Sequence, residues 1–98
     1  MAYFQVVLSG SGIALTFEEN EQPVIGFYAT RFVKAESSML AEAIAKELVL
    51  SEWGAGGAYA DANRGGLPLL AAESTVSVNV LTGVLKRRSK GYTFYQND

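Results

Sequence analysis

The stretch "VIGFYATRFVKAESSMLAEAIAKELVL", residues 24–50, decides the fold, because it joins the longest strand pattern of the chain to its one strong helix pattern. Residues 24–34 are rich in β-branched and aromatic side chains and follow a polar segment that ends in Pro23. Apolar side chains occur on both faces of this segment, so we expect other parts of the protein to cover both. The stretch therefore predicts a long strand that runs into a helix.

The helix is predicted to begin near Ser37 or Ser38, either of which is a suitable N-cap, and to end between Leu50 and Trp53. Apolar residues recur at helical spacing and define one broad face that should pack on the sheet: Leu40, Ala41, Ile44, Ala45, Leu48 and Val49. Glu42 and Lys46 form an i,i+4 pair that is expected on the opposite, solvated side.

Further segments along the chain have strand patterns. Residues 3–9 end at a glycine-rich turn or bulge, and residues 13–17 are either a short separate strand or the continuation of the first one. Residues 73–81 alternate cleanly, which predicts Val76, Val78 and Val80 inside and Thr75, Ser77 and Asn79 outside. Residues 91–96 resemble a last strand, and residues 84–90 before them are a basic loop or a single helical turn.

These elements predict a single α+β domain over residues 1–98, in the order β-β-α-β-β. We expect a two-layer sandwich in which one main helix packs on a mostly antiparallel sheet of four to five strands. The alternative is a ferredoxin-like plait, which needs a second helix. Only residues 54–72 are available for it, and their glycines make a poor helix.

The composition excludes several classes of function. The chain has no cysteine and no histidine, so it offers no disulfide, no thiolate metal site and no histidine general base. A net charge of −2 gives no overall attraction for nucleic acid or an anionic membrane. No segment is apolar for long enough to span a membrane. We therefore predict a cytoplasmic protein without cofactor or metal, and the residues contain no recognisable catalytic motif.

The glycine-rich stretch "WGAGGAYADANRGG", residues 53–66, raises the question of a phosphate-binding loop. A dinucleotide fingerprint would need a glycine where Tyr59 stands, and it would open a helix, whereas this stretch follows one. A ligand site in this loop would use Trp53, Tyr59, Asn63 and Arg64. The competing interpretation, which the frequency of buried aromatic residues favours, is that Trp53 and Tyr59 pack against the edge of the core.

A second candidate site is the basic patch of Lys86, Arg87, Arg88 and Lys90, which the aromatic residues of "GYTFY" follow. Basic residues beside aromatic rings can grip phosphates and stack bases. Four charges in a turn are more often a solvated hairpin tip, and the acidic net charge disfavours nucleic acid as a partner.

The third candidate is an association surface. One helix cannot cover both faces of a sheet, and the second face of the long strand is apolar at Val24, Tyr28 and Phe32. An uncovered apolar face indicates association, so these residues form a candidate dimer face. The competing cover is the 54–72 loop, whose Leu67, Leu69 and Leu70 could fold over the open face instead.

The segment "GFYATRFVKAES" leading into an alanine-rich helix, with "GYTFY" near the end of the chain, resembles small bacterial proteins that contain domains of unknown function. This resemblance implies no activity, cofactor or catalytic residue. The sequence therefore predicts a non-catalytic interaction module that forms a homodimer. Its alternatives are a nucleic-acid-associated protein that uses the basic patch, and a small-ligand binder or enzyme at the 53–66 loop.

Overall fold

The computed structural model describes residues 2–15, 24–54, 56–57, 59–60, 63, 65–86 and 92–96. The elements, in chain order, are β1 (Ala2–Leu15), β2 (Val24–Ala35), α1 (Ser38–Trp53), β3 (Leu69–Val78), α2 (Val80–Lys86) and β4 (Tyr92–Gln96). The α+β class, with an antiparallel sheet and one main helix, is confirmed. The order differs from the predicted one by the short helix α2 between the last two strands.

The four strands form one open antiparallel sheet in the order β3-β1-β2-β4. The long β1 and β2 are the inner strands, and β3 and β4 are the edges. Residues 13–15 continue β1 beyond an irregularity in its pairing with β2, where Gly12 has a φ of 81°. Glycine suits this position because other residues rarely adopt a positive φ. Of the two interpretations of residues 13–17, the continued strand is the correct one up to Leu15.

The core lies between the sheet and α1. Partners in an antiparallel ladder point to the same face, so Val6 and Leu8 of β1 share the α1 face with Arg31 and Ala29 of β2. Buried apolar residues from both inner strands and α1 make up this core, with Phe27 and Leu8 among the largest fully buried side chains. The face of the sheet beneath α1 is thus shielded from solvent over most of its length.

Helix α1 begins as predicted, because the Ser37 side chain accepts a hydrogen bond from the amide of Leu40. Its buried residues form a single i,i+4 row of Ala41, Ala45, Val49 and Trp53. The broad apolar face was therefore wrong in part: Leu40, Ile44 and Leu48 lie outside this row and are exposed, Ile44 by 37%. The two alanines explain the difference, since they let the helix backbone lie close to the sheet while the neighbouring row points away from it.

Glu42 was also placed wrongly as a solvated residue, because its carboxylate accepts a hydrogen bond of 2.9 Å from the Thr75 hydroxyl of β3.

Strand β3 begins at Leu69, four residues earlier than expected, and its inside and outside are reversed. Val7 pairs with Ser74 and Leu8 with Ala72, so Glu73 is an extra residue that shifts the alternation. Thr75 faces α1, whereas Val76 lies on the other face and is 50% exposed. Val80 does not belong to the strand at all but to α2.

Helix α2 lies across the sheet face opposite α1. A Cβ atom at Gly83 would collide with the Tyr3 ring, so the helix can approach Tyr3 only through a glycine. Tyr3 is buried as a result.

Helix α2 also decides part of the alternative that the sequence leaves open for residues 84–90: residues 84–86 are helical, and residues 87–90 lie outside the described residues. The second helix stands after β3 instead of within residues 54–72, and the β-β-α-β-α-β order is not that of the ferredoxin-like plait.

Within the described ranges, no helix combines the length and apolar character that crossing a membrane requires.

Truncation of buried and exposed leucines tests this core. We expect Leu8→Ala to lower the free energy of unfolding by about 2 to 5 kcal/mol, because it removes a fully buried side chain and leaves a cavity. Leu40→Ala, at an exposed position of α1, should cost about 1 kcal/mol or less. Equilibrium urea denaturation measures both, and equal losses would contradict the assignment of the buried row.

Candidate functional site

The first polar cluster lies between β2 and the end of α1. Arg31 is the one buried charged residue in the described part of the chain, with 3% of its surface exposed. Its Nη2 atom donates to Oε2 of Glu52 at 3.1 Å, and its Nη1 atom donates to the carbonyl of Thr30 at 2.8 Å. The guanidinium therefore ties α1 to the sheet in a place that excludes most water.

Tyr92 of β4 joins this pair. Its hydroxyl donates a hydrogen bond to the same Oε2 of Glu52, and its ring centroid lies 4.9 Å from Cζ of Arg31. Burial, and then the hydrogen bond to Glu52, raise the pKa of the Tyr92 hydroxyl above its usual value of 10. The nearby Trp53 and Arg31 act in the opposite direction and do not cancel this effect.

The rings of Phe27, Trp53, Tyr59 and Tyr92 pack around this cluster. Trp53 stacks on Phe27 with the ring centroids 5.2 Å apart and on Tyr59 with 4.8 Å between them. The Tyr92 ring meets Phe27 and Tyr59 edge to face. Trp53 is almost fully buried, and among the described residues its Nε1–H meets no acceptor with hydrogen-bond geometry. The two aromatic residues of the candidate ligand loop are thus used in packing, which agrees with the competing interpretation.

Asn63, the third residue of that loop, holds the segment against the end of β1. Its Oδ1 atom accepts hydrogen bonds of 3.0 Å from the amides of Ala14 and Gly65, and its Nδ2 atom donates to the carbonyl of Gly66. A Cβ atom on Gly65 would lie 2.8 Å from the carbonyl oxygen of Gly12, so this approach requires a glycine. The fourth candidate, Arg64, lies outside the described residues.

Sequence reasoning missed Glu52, the residue on which the polar cluster depends. One signal was available: Glu52 follows Val49 by three residues and Ala45 by seven, which puts it beside the buried row of α1. A carboxylate at such a position indicates that a buried cation faces it.

The hydrogen bonds within this cluster limit the chemistry that its polar groups can perform. The Glu52 carboxylate accepts from both Arg31 and Tyr92, and the rings around it are in direct contact. In the described part of the chain, no three Asp, Glu, His or Cys residues come together as a possible metal site. The cluster therefore serves to fix the end of α1 on the sheet.

The basic patch is described only at its first member. The Nζ atom of Lys86, at the end of α2, lies 5.8 Å from the ring centroid of Phe32. Arg87, Arg88 and Lys90 lie outside the described residues.

The structure separates the three residues of the candidate dimer face. Val24 is buried and belongs to the core, because the pairing of β2 is irregular next to it. Phe32 is half-buried beside Lys86, whereas Tyr28 is 49% exposed. Tyr28 instead neighbours Tyr95 of β4, with the ring centroids 5.8 Å apart. The loop leucines do not cover this face: Leu70 packs on the core, and Leu69 remains exposed.

The second candidate site is therefore the sheet face opposite α1, which has two different halves. Helix α2 covers the half around Tyr3 and Phe32. The other half, which we call the bare half, contains Ser9 and Ser11 of β1, Tyr28 of β2, Leu69 and Ala71 of β3, and Thr93 and Tyr95 of β4. None of these residues is ionisable near neutral pH.

Comparison with protein-family models, with curated proteins and with solved structures finds no match for this chain.

The ion pair can be tested by removing one partner. Glu52→Leu should lower the free energy of unfolding by about 3 to 5 kcal/mol, because the buried Arg31 guanidinium loses its carboxylate. The double variant Arg31→Met/Glu52→Leu should recover part of that loss. Glu47→Leu, at an exposed position of the same helix, is the control. Urea denaturation of the wild type, Arg31→Met, Glu52→Leu and the double variant gives the four values of the cycle, and losses in the double variant equal to the sum of the two single losses would contradict the coupling.

Alkaline pH tests the environment of Tyr92. The folded protein holds the Tyr92 proton more tightly than the unfolded chain, so this stabilisation is complete below pH 10 and decreases as the pH rises above it. Urea midpoints of the wild type should therefore decrease more steeply above pH 10 than those of Tyr92→Phe, which lacks the titrating group. Parallel curves for the two proteins would show that the hydroxyl is not buried against Glu52.

Proposed function

We propose that this chain is a small non-catalytic interaction module that acts as a homodimer. The observation that carries the proposal is the group of exposed apolar side chains on the sheet face opposite α1 and on α2: Tyr28, Leu69, Val76, Tyr95, Val80, Leu81 and Leu85. Exposed apolar side chains that share one face are a mark of interaction sites.

The distribution of polar groups supports a role in binding. The charged residues that meet in the described part of the chain, Arg31 and Glu52, are paired with each other beneath α1, on the side of the sheet opposite the exposed apolar face. That face carries tyrosine and hydroxyl side chains, which supply contact area and adaptable hydrogen bonds at binding surfaces. The bare half of that face carries no charge, so its removal from water requires no desolvation of an ion.

A homodimer is favoured over an unrelated partner because the same face can pair with itself. Closed twofold contacts are the commonest arrangement of soluble oligomers, and they require a self-complementary surface. The basic residues described on this face are Lys34 and Lys86, so its bare half presents no like charges to a second copy.

Association with nucleic acid through the patch of Lys86, Arg87, Arg88 and Lys90 is the alternative. Two observations favour it: the exposed Tyr28 and Tyr95 rings are available for stacking, and Lys34 and Lys86 lie on the same face. The net charge of −2 places it second. We also propose a cytoplasmic location and a two-layer arrangement, in which α1 forms the second layer and the seven-residue α2 covers only part of the other face of the sheet.

Native mass spectrometry and light scattering on the purified chain test the proposal. We expect a species of twice the 10.5 kDa chain mass that dissociates on dilution. A monomer at about 100 µM would contradict the homodimer, since an interface that buries a whole sheet face should hold at that concentration. Nucleic acid that co-purifies at low salt and is lost at high salt would favour the alternative instead.

A further inference from the structure

We propose that the two copies meet face to face and end for end, so that α2 of each copy lies on the bare half of the partner's sheet. This inference rests on the homodimer proposed above and specifies its interface. The sheet face opposite α1 has α2 on one half and the exposed Tyr28 and Tyr95 on its bare half.

The two halves differ in height as well as in composition. Helix α2 stands on the sheet where Gly83 meets Tyr3 and Lys86 meets Phe32, at the first residues of β1 and the last residues of β2. At the other end the hydroxyl end of the Tyr95 side chain lies directly against Gly26, where any Cβ atom would collide with it. The face is therefore a ridge at one end and a low platform at the other.

The outward side of α2 is apolar, so its exposure to water is unfavourable. Val80, Leu81 and Leu85 are its outward residues, and Leu85 is 74% exposed. The helix has only seven residues, too few to be stable in water without tertiary contacts on an apolar side. A surface that contacts these side chains would complete the burial of α2.

A twofold axis that lies between two facing sheets, perpendicular to their strands, exchanges the two ends of the face. Each ridge then meets the partner's platform, and Leu81 and Leu85 of one copy approach Tyr28 and Tyr95 of the other. The two α2 helices form one shared layer between the sheets, at the spacing that a single layer of helices fills. Such a contact is isologous and closed, so it stops at two copies.

The charges agree with this arrangement. Lys34 and Lys86 lie at the α2 end of the face, because Lys34 pairs with Tyr3 in the ladder and Lys86 contacts Phe32. Exchanging the ends puts the lysines of the two copies at opposite ends of the interface. The alternative orientation, with the ends in register, would bring the two ridges and the four lysines together.

Other contacts between copies fit less well. The edge strand β3 carries the extra residue Glu73 at its centre, and a bulge and a charge are the features that oppose pairing of edges. The exposed row of Leu40, Ile44 and Leu48 on α1 is apolar but offers no second, complementary half. It therefore supplies the matched control for the test.

Crosslinking between two singly substituted proteins tests the arrangement directly, because the chain has no cysteine of its own. Leu85→Cys is mixed with a size-tagged Tyr28→Cys protein and treated with a short thiol-specific crosslinker. We expect the mixed product to exceed both like-with-like products by about tenfold, since only the mixed pair brings residue 85 of one copy to residue 28 of the other. The pair Leu48→Cys and Tyr28→Cys, crosslinked in the same way, should give no product above background.

Charge substitutions show whether the end-for-end arrangement is wrong or whether the protein forms no homodimer at all. Leu85→Glu should weaken dimerisation by about tenfold or more, whereas Leu48→Glu on α1 should leave it unchanged within about twofold. If the wild type is a monomer, both the homodimer and its interface are wrong. If the wild type is a dimer that Leu85→Glu does not weaken, or that Leu48→Glu dissociates, the homodimer stands and the end-for-end arrangement is overturned. Crosslinking decides the matter if Leu85→Glu does not fold.

Discussion

A sheet has two faces, and the close approach of α1 to one of them is the constraint on which the rest of this structure depends. The approach is possible because the buried row of α1 contains Ala41 and Ala45, which let the helix backbone lie near the inner strands. The row ends in Trp53, whose ring fills the space beside Phe27. With one face closed in this way, the short α2 is the helix of the described residues that lies on the other face.

The end of α1 is fixed by a polar contact inside this apolar surrounding. Arg31, Glu52 and Tyr92 come from β2, α1 and β4, so their hydrogen bonds join three elements at one point. A buried ion pair contributes little to stability compared with well-packed apolar residues, but breaking it is costly. Its effect here is to define where the end of the helix sits, and with it which face of the sheet is closed.

The sequence predicts where the strands and the main helix lie better than it predicts which of their residues are buried. The strands, the Ser37 cap and the span of α1 follow from local patterns, which depend on neighbouring residues. The reversal of Thr75 and Val76 does not, because the extra residue Glu73 in β3 becomes visible only through the register with β1. The exposure of Leu40, Ile44 and Leu48 likewise depends on how closely α1 approaches the sheet, which no periodicity reports.

The candidate sites show the same limit. Aromatic packing around Trp53 and Tyr59 could be predicted, since large rings near a core edge are usually buried. The partnership of Arg31 with Glu52 joins residues that are far apart in the chain, and the helical position of Glu52 indicates a buried cation without showing which residue supplies it. The division of the open face into a covered half and a bare half also needs the fold, because it depends on where Gly83 lets α2 meet Tyr3.

Amide NMR spectra recorded over a dilution series report, residue by residue, whether a second copy covers the open face. We expect the resonances of Tyr28, Tyr95 and residues 81–85 to shift with protein concentration, while those of residues 40–48 on α1 stay constant. Concentration-independent spectra, or shifts confined to residues 40–48, would contradict it.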